Sequence, residues 1–331
     1  MNETELPDPP AGLTMAVEGV PTDPTLLEAA DRAARQWLSS EYGSLPPGSP
    51  AHARATRAMF RETFNPYRPA VIDWPVLEPA TRQRLISLPI WDIAVHTEGK
   101  ARLRMKAYAD TSPDPDWREA VGLNAWEESR HKHVLSRLVE AYGIKLQPEP
   151  EYQVPRDTEW AYLVTGYSEC IDSFFAFGLF ALARRSGFFP PELVETFEPV
   201  IQEECRHILL FANWLAAHRA NLPWWRRPYF EARVAAVWVF LAAERVGLAR
   251  GMDEAEAKQD NNFTLTGSQA VADEMDVATL MQLCLEENDR RFAGYDARLR
   301  RPTTTPFLAR MALGTIRAWR WVRGKKQRHA A

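Results

Sequence analysis

Apolar positions recur at helical spacing along almost the whole chain, and strand-like alternation is scarce. The pattern predicts a short helix over 25–38 (TLLEAADRAARQWL), a break at SLPPGSP (44–50), and a second helix, AHARATRAMFRETF, that ends near NPYRP. Four long helical patterns follow between about residues 80 and 220. The first spans roughly 88–110. The second starts after SPDPDW, where Asp114 can cap and Pro115 can take the first helical position, and it stops at Gly143. The third spans roughly 157–186, with Asp157 near its start and Gly187 after it. The fourth follows FFPP and ends near His218, and Pro199 inside it predicts either a late start or a kink. After the turn NLPWWRRP, helices are expected over 228–250 and about 268–292, and a last one over FLARMALGTIRAWRWVRGKKQR. Residues 1–23 read as a mobile or surface-draped arm. The expectation is an all-α chain with an arm and short helices in 1–80, a four-helix bundle in 81–220 and a helical extension in 221–331.

Composition narrows the function classes. With 331 residues, 46% hydrophobic and 25% charged, the chain is long enough for a sizeable core. A net charge of −4 gives no electrostatic case for nucleic-acid binding. Cys170, Cys205 and Cys284 are an odd number with no CxxC pair, which excludes a zinc ribbon and suits free thiols in a cytoplasmic protein. The longest apolar runs, at 174–183 and 234–243, are ten residues each, too short to span a bilayer, and the acidic, proline-rich start does not read as a signal peptide.

The chemistry enters through a repeated word. EESRH occupies 127–131 and EECRH occupies 203–207. Residues i and i+3 share a helix face, so Glu128 with His131, and Glu204 with His207, can each address one point. Both pairs sit in apolar stripes: Val121, Ala125, Leu135 and Leu138 flank the first, and Ile201, Ile208, Phe211 and Leu215 flank the second. The remaining two bundle helices offer Glu98 and Glu169, again among apolar neighbours. Four buried, unpaired carboxylates would cost several kcal/mol each. Bound cations remove that cost, and a mixed carboxylate–imidazole set suits Fe(II) or Mn(II). The expected centre therefore holds two metals on Glu98, Glu128, His131, Glu169, Glu204 and His207.

The order Glu, ExxH, Glu, ExxH resembles the ferritin-like di-iron carboxylate superfamily over about 88–218. The resemblance implies a ferritin-like four-helix bundle with two Fe ions, for which Mn or a mixed Mn/Fe pair would suit the same ligands. It implies that Glu128 and Glu204 bridge, that Glu98 and Glu169 are terminal ligands, and that His131 and His207 complete one metal each. The EExRH form is similar to that of soluble acyl-carrier-protein desaturases, which implies that Glu203 orients His131 and Glu127 orients His207. SECIDSFFAF is similar to the third-helix segment of p-aminobenzoate N-oxygenases. Those enzymes carry a further His where this chain has Val200, so six protein ligands are expected here. O2-activating relatives often carry a hydroxyl residue one turn after the third-helix ligand. Asp172 and Ser173 stand there, and Asp172 reads either as a proton relay or as a structural hydrogen-bonding group.

The function so implied is an O2-dependent oxidoreductase of oxygenase, hydroxylase or desaturase type. Its substrate would be apolar or carrier-bound, its electrons would come from an external donor, and a homodimer is plausible. A ferroxidase or storage protein, and a manganese ligand-binding oxidase or catalase-like protein, are the alternatives. The run Phe174, Phe175, Phe177, Leu179, Phe180 reads either as core or as the lining of a substrate channel. The last helix sets Phe307, Met311, Leu313, Ile316, Trp319 and Trp321 against Arg310, Arg317, Arg320, Arg323, Lys325 and Lys326. That end reads either as packed on the bundle with its arginines solvated, or as a contact for an anionic membrane or an acidic carrier.

Overall fold

The structure, a computed structural model, describes residues 6–330 apart from 7, 18–19, 21, 69–73, 89, 150, 188 and 252–275, and leaves the side chains of 246–251 and 322–330 undescribed. The described residues are all-α. They form ten helices: α1 (Pro24–Ala33), α2 (Pro50–Glu62), α3 (Pro79–Ser87), α4 (Trp91–Thr111), α5 (Pro115–Tyr142), α6 (Thr158–Ser186), α7 (Pro191–Asn221), α8 (Arg227–Gly251), α9 (Val277–Phe292) and α10 (Thr304–Ala330). An isolated bridge between Trp37 and Tyr295 is the one β-type pairing among them.

Local chemistry sets most of these boundaries. The Asp114 carboxylate accepts from the N–H groups of Asp116 (2.9 Å) and Trp117 (3.3 Å), Pro115 opens α5, and Gly143 closes it at φ 66°. Asp157 caps α6 through the Trp160 N–H at 2.9 Å, and Gly187 at φ 65° ends it. One boundary and one additional helix differ from expectation. α1 stops at Ala33, because the Trp37 N–H bonds the Gly294 carbonyl (3.0 Å) and its indole N–H bonds Glu62 (2.7 Å). Docking of that aromatic outweighs the helical propensity of 34–38. α7 does not start late, but runs through Pro199 from Pro191. α3 was not among the expected helices. The expected start of α9 at 268 lies outside the described residues, as do the side chains of Arg323, Lys325 and Lys326.

Helices α4, α5, α7 and α6 touch in that order as a closed ring, which leaves α5 and α6 on a diagonal. The connection 143–157 explains how they are joined. It leaves α5, bonds the first turn of α4 (Gln147 N–H to Asp92, 2.7 Å), and reaches α6 where Thr158 meets Thr111 at the last turn of α4 (3.2 Å). The segment therefore climbs the length of α4, and α5 and α6 run parallel to each other and antiparallel to α4. α2 lies against α5 and α7, while α8, α9 and α10 pack on α6. Two glycines permit close approach: a Cβ on Gly166 would lie 2.1 Å from the Phe211 ring of α7, and one on Gly178 would lie 2.3 Å from Cys284 Sγ of α9.

The arm is surface-draped over its described part. The Asp8 carbonyl accepts from the Trp126 indole (3.0 Å), the Ala11 carbonyl from Arg61 (2.9 Å), and the Ala16 N–H donates to Pro66 (2.9 Å). At the other end, α10 buries Ala309 and Leu313 against α6 and α9. Three of its arginines have partners: Arg310 lies 3.6 Å from Asp289, Arg317 donates to Gln282 (3.1 Å) and Arg320 pairs with Asp276. Phe307, Met311, Trp319 and Trp321 remain exposed. No helix of the described residues is long and apolar enough to cross a membrane.

Candidate metal centre

The ring brings the two copies of the repeated word face to face, one from α5 and one from α7. Glu128, His131, Glu204 and His207 each offer a ligand atom, and these atoms all lie within 4.8 Å of one another. His207 Nδ1 is 2.7 Å from Glu128 and 3.8 Å from Glu204; His131 Nδ1 is 3.1 Å from Glu204 and 4.0 Å from Glu128. Glu98 of α4 joins from one side, 4.0 Å from His131 Nδ1. Glu169 of α6 faces the same cavity, and neither of its buried carboxylate oxygens has a hydrogen-bond partner among the described residues.

Around these six the pairing is crosswise. His131 Nε2 meets Glu203 at 2.8 Å, and His207 Nε2 meets Glu127 at 2.9 Å, so each imidazole is held by the acid of the opposite word. The two arginines of the words follow the same rule. Arg206 donates to Glu127 (3.0 Å), and Arg130 pairs with Glu203. Both guanidiniums are buried and anchored outside the ring: Arg206 donates to the Phe60 carbonyl (2.6 Å) and Thr63 hydroxyl (2.7 Å) at the end of α2, and Arg130 to the Asn65 carbonyl (2.9 Å). The sequence reading had passed over these arginines, although the repeated word contained them. A guanidinium on an apolar helix stripe has no local explanation until α2 arrives to receive it.

Charge and orphaned atoms test whether metal fits. Six carboxylates (Glu98, Glu127, Glu128, Glu169, Glu203, Glu204) face two guanidiniums, which leaves four negative charges if the histidines are neutral. Two divalent cations would cancel them. His131 Nδ1, His207 Nδ1 and Glu128 Oε1 have no hydrogen bond of acceptable geometry despite their proximity, as expected of atoms aimed at a common point. Protonation shows the same strain. Burial, with Glu128 beside it, pushes Glu98 well above the carboxylate range, and burial with Glu128 and Glu204 does so for Glu169. Against burial, which alone would lower it, Glu128 and Glu127 raise His207 to about 10. Glu203 and Glu204 likewise raise His131 well above its ordinary value against burial. Glu127, by contrast, is held at about 2 by Arg206, His207 and Arg130 despite its burial. Glu98, Glu169 and the two histidines thus favour their protonated forms where cations would serve. Despite its burial, Glu128 is held at about 2 by His207, Glu98 and His131, and Glu127 and Glu203 are matched by arginine. This buried Glu/His cluster can bind a metal ion.

Asp172 lines the cavity but is held in an ion pair, its Oδ1 3.0 Å from Arg245, and it accepts from Ser168 (2.9 Å). The group that touches a candidate ligand is its neighbour Ser173, whose hydroxyl donates to Glu204 at 3.3 Å. The cysteines are free and buried, and burial pushes Cys205 and Cys284 to about 12, so neither is a thiolate nucleophile at neutral pH.

A cavity of about 280 Å³ adjoins the centre. Glu98, Glu128, His131, Glu169 and Glu204 all line it, whereas His207 lies behind them, stacked 5.8 Å from the Phe60 ring. Leu179 and Phe180 of the aromatic run belong to its wall, and so does Val200. Phe174 and Phe177 are instead fully buried in two separate core clusters. Comparisons with protein-family profiles, with curated proteins and with solved structures found no match for this chain.

Proposed function

We propose that α4–α7 form a ferritin-like four-helix bundle that holds two iron ions and that the protein is an O2-dependent oxidoreductase acting on an apolar organic substrate. One observation carries this reading: six ligand-type side chains converge in a charge environment that lacks four positive charges, directly beside a cavity large enough for an organic molecule. The long connection between parallel, diagonal α5 and α6 supports the same bundle type, in which one crossover joins two helical hairpins. Glu98, Glu128, His131, Glu169, Glu204 and His207 would hold the metals, with Glu203 and Glu127 fixing the imidazole orientations.

When bound, such a metal pair supplies reducing electrons for dioxygen and a strong oxidant for a C–H bond. The chain supplies the rest. Apolar walls at Trp91, Phe180 and Phe197 exclude water from one side, and the Ser173 hydroxyl offers a proton at Glu204. Asp172, already matched by Arg245, serves as a positioning carboxylate more readily than as a relay. The test is metal analysis of the purified protein, then anaerobic Fe(II) loading and stopped-flow absorbance on mixing with O2. About two metals per chain and a transient absorbance change are expected. Two manganese ions without O2 response would redirect the reading to peroxide chemistry, and a protein that takes up no metal would remove it.

A further inference from the structure

The cavity beside the centre is graded along its length. Near the start of α4 its wall is apolar, with Trp91 and Ala94 of α4, Phe180 and Ala183 of α6, and Leu193 and Phe197 of α7. Past Glu98 the wall changes character. Lys100 and Arg104 follow on α4, Thr165, Ser168 and Asp172 come from the antiparallel stretch of α6, and Glu244 of α8 joins them, beside the apolar Ala101, Val164 and Phe240. The candidate ligands Glu98, Glu169 and Glu204 lie between the two halves.

The polar end carries two cations without a close partner among the described residues. Asp172 is matched by Arg245. Lys100 and Arg104 stand one helical turn apart and repel each other, and Glu244 is the acid whose field both feel. Neither cation forms a hydrogen bond or close ion pair with a described residue. Lys100 and Arg104 are thus two partly buried cations in the cavity wall, and such groups are costly to desolvate without a partner. A carboxylate would partner both cations, and a guanidinium fork matches a carboxylate in shape. The volume of about 280 Å³ suits a small organic molecule.

We infer that the cavity binds a free carboxylic acid with an apolar tail, its carboxylate on Lys100 and Arg104 and its tail running past the carboxylate–histidine cluster to the Phe180–Leu193 end. Mid-chain carbons of such a ligand lie beside the cluster. An acid esterified to a carrier lacks the charge that this end requires and is excluded. The assignment gives a substrate class to the oxidoreductase reading and rests on it for its purpose, but binding itself needs no metal.

Calorimetric titration of the full-length protein, as isolated and after metal chelation, with octanoate, 1-octanol and octylamine tests the assignment. Octanoate should bind at least ~10-fold more tightly than either analogue, a margin of about 1.4 kcal/mol, in both preparations. Arg104→Gln should weaken octanoate by a similar factor and leave octanol unchanged. Equal or tighter binding of octanol or octylamine to the unaltered protein, or binding of none of the three, would overturn it without recourse to a variant. Octanoate selectivity in a protein inert to O2 would leave this assignment standing and remove the redox reading. O2 reactivity without that selectivity would do the reverse.

Discussion

At the scale of single residues, the centre is defined by what its histidines and arginines touch across the ring. Arg206 and Arg130 pair with Glu127 and Glu203, and those acids in turn aim the imidazoles. Arg206→Met would leave Glu127 buried without its guanidinium, and breaking one partner of a buried pair costs about 3–5 kcal/mol. Chemical denaturation of the metal-free variant should show a loss of that order. Protonation gives a second expectation. His207 is raised from 6.5 to about 10, so its contribution to the stability of the metal-free fold is complete below pH 6.5 and is lost as pH rises towards 10. Bound cations would replace those protons, so metal affinity should rise over the same window. The melting temperatures of metal-free and metal-loaded protein should therefore diverge from pH 6.5 to pH 9.5, and curves that stay parallel would contradict the protonation pattern. The inner residues were legible in the sequence because helical spacing and a near-identical repeat expose them. The Arg245 partner of Asp172 and the α2 carbonyl that receives Arg206 were not, since they lie 73 and 146 positions away with no periodic signal between them.

At the scale of elements, caps proved more readable than packing. Asp114, Gly143, Asp157 and Gly187 mark their boundaries because each acts through its own few neighbours. The end of α1 depended on where Trp37 docks, and α3 carries only Leu85 as a buried residue, too little for a stripe to show. Close approach between helices is likewise invisible in one dimension. Gly178 matters because Cys284 of α9 lies against it: an added Cβ would meet not only the Sγ but also the backbone N and Cα, at 3.0 and 3.1 Å. Backbone cannot swing aside as a side-chain tip can, so Gly178→Ala must push α9 away from α6. Overpacking of this kind costs about 1–3 kcal/mol. Equilibrium unfolding should reveal the loss, and an unchanged midpoint would mean that α9 is held more loosely than the contact implies.

At the scale of the whole molecule, parts remote in sequence complete the centre. The N-terminal helix α2 seats one arginine of the ring, and the cavity takes its polar end from α8. The ligand set has an approximate twofold equivalence, one word from each hairpin, but its surroundings do not share it. His131 looks into the cavity, whereas His207 is fully buried behind Phe60. Two chemically alike metal positions would then differ in lability: one ion can shed ligands to entering solvent, and the other must wait for the protein to open. Stripping by a chelator should proceed in a fast and a slow phase of equal amplitude, and Phe60→Ala should accelerate only the slow one. A chain with near-identical words on its two central helices would thereby own one exchangeable ion and one resident ion.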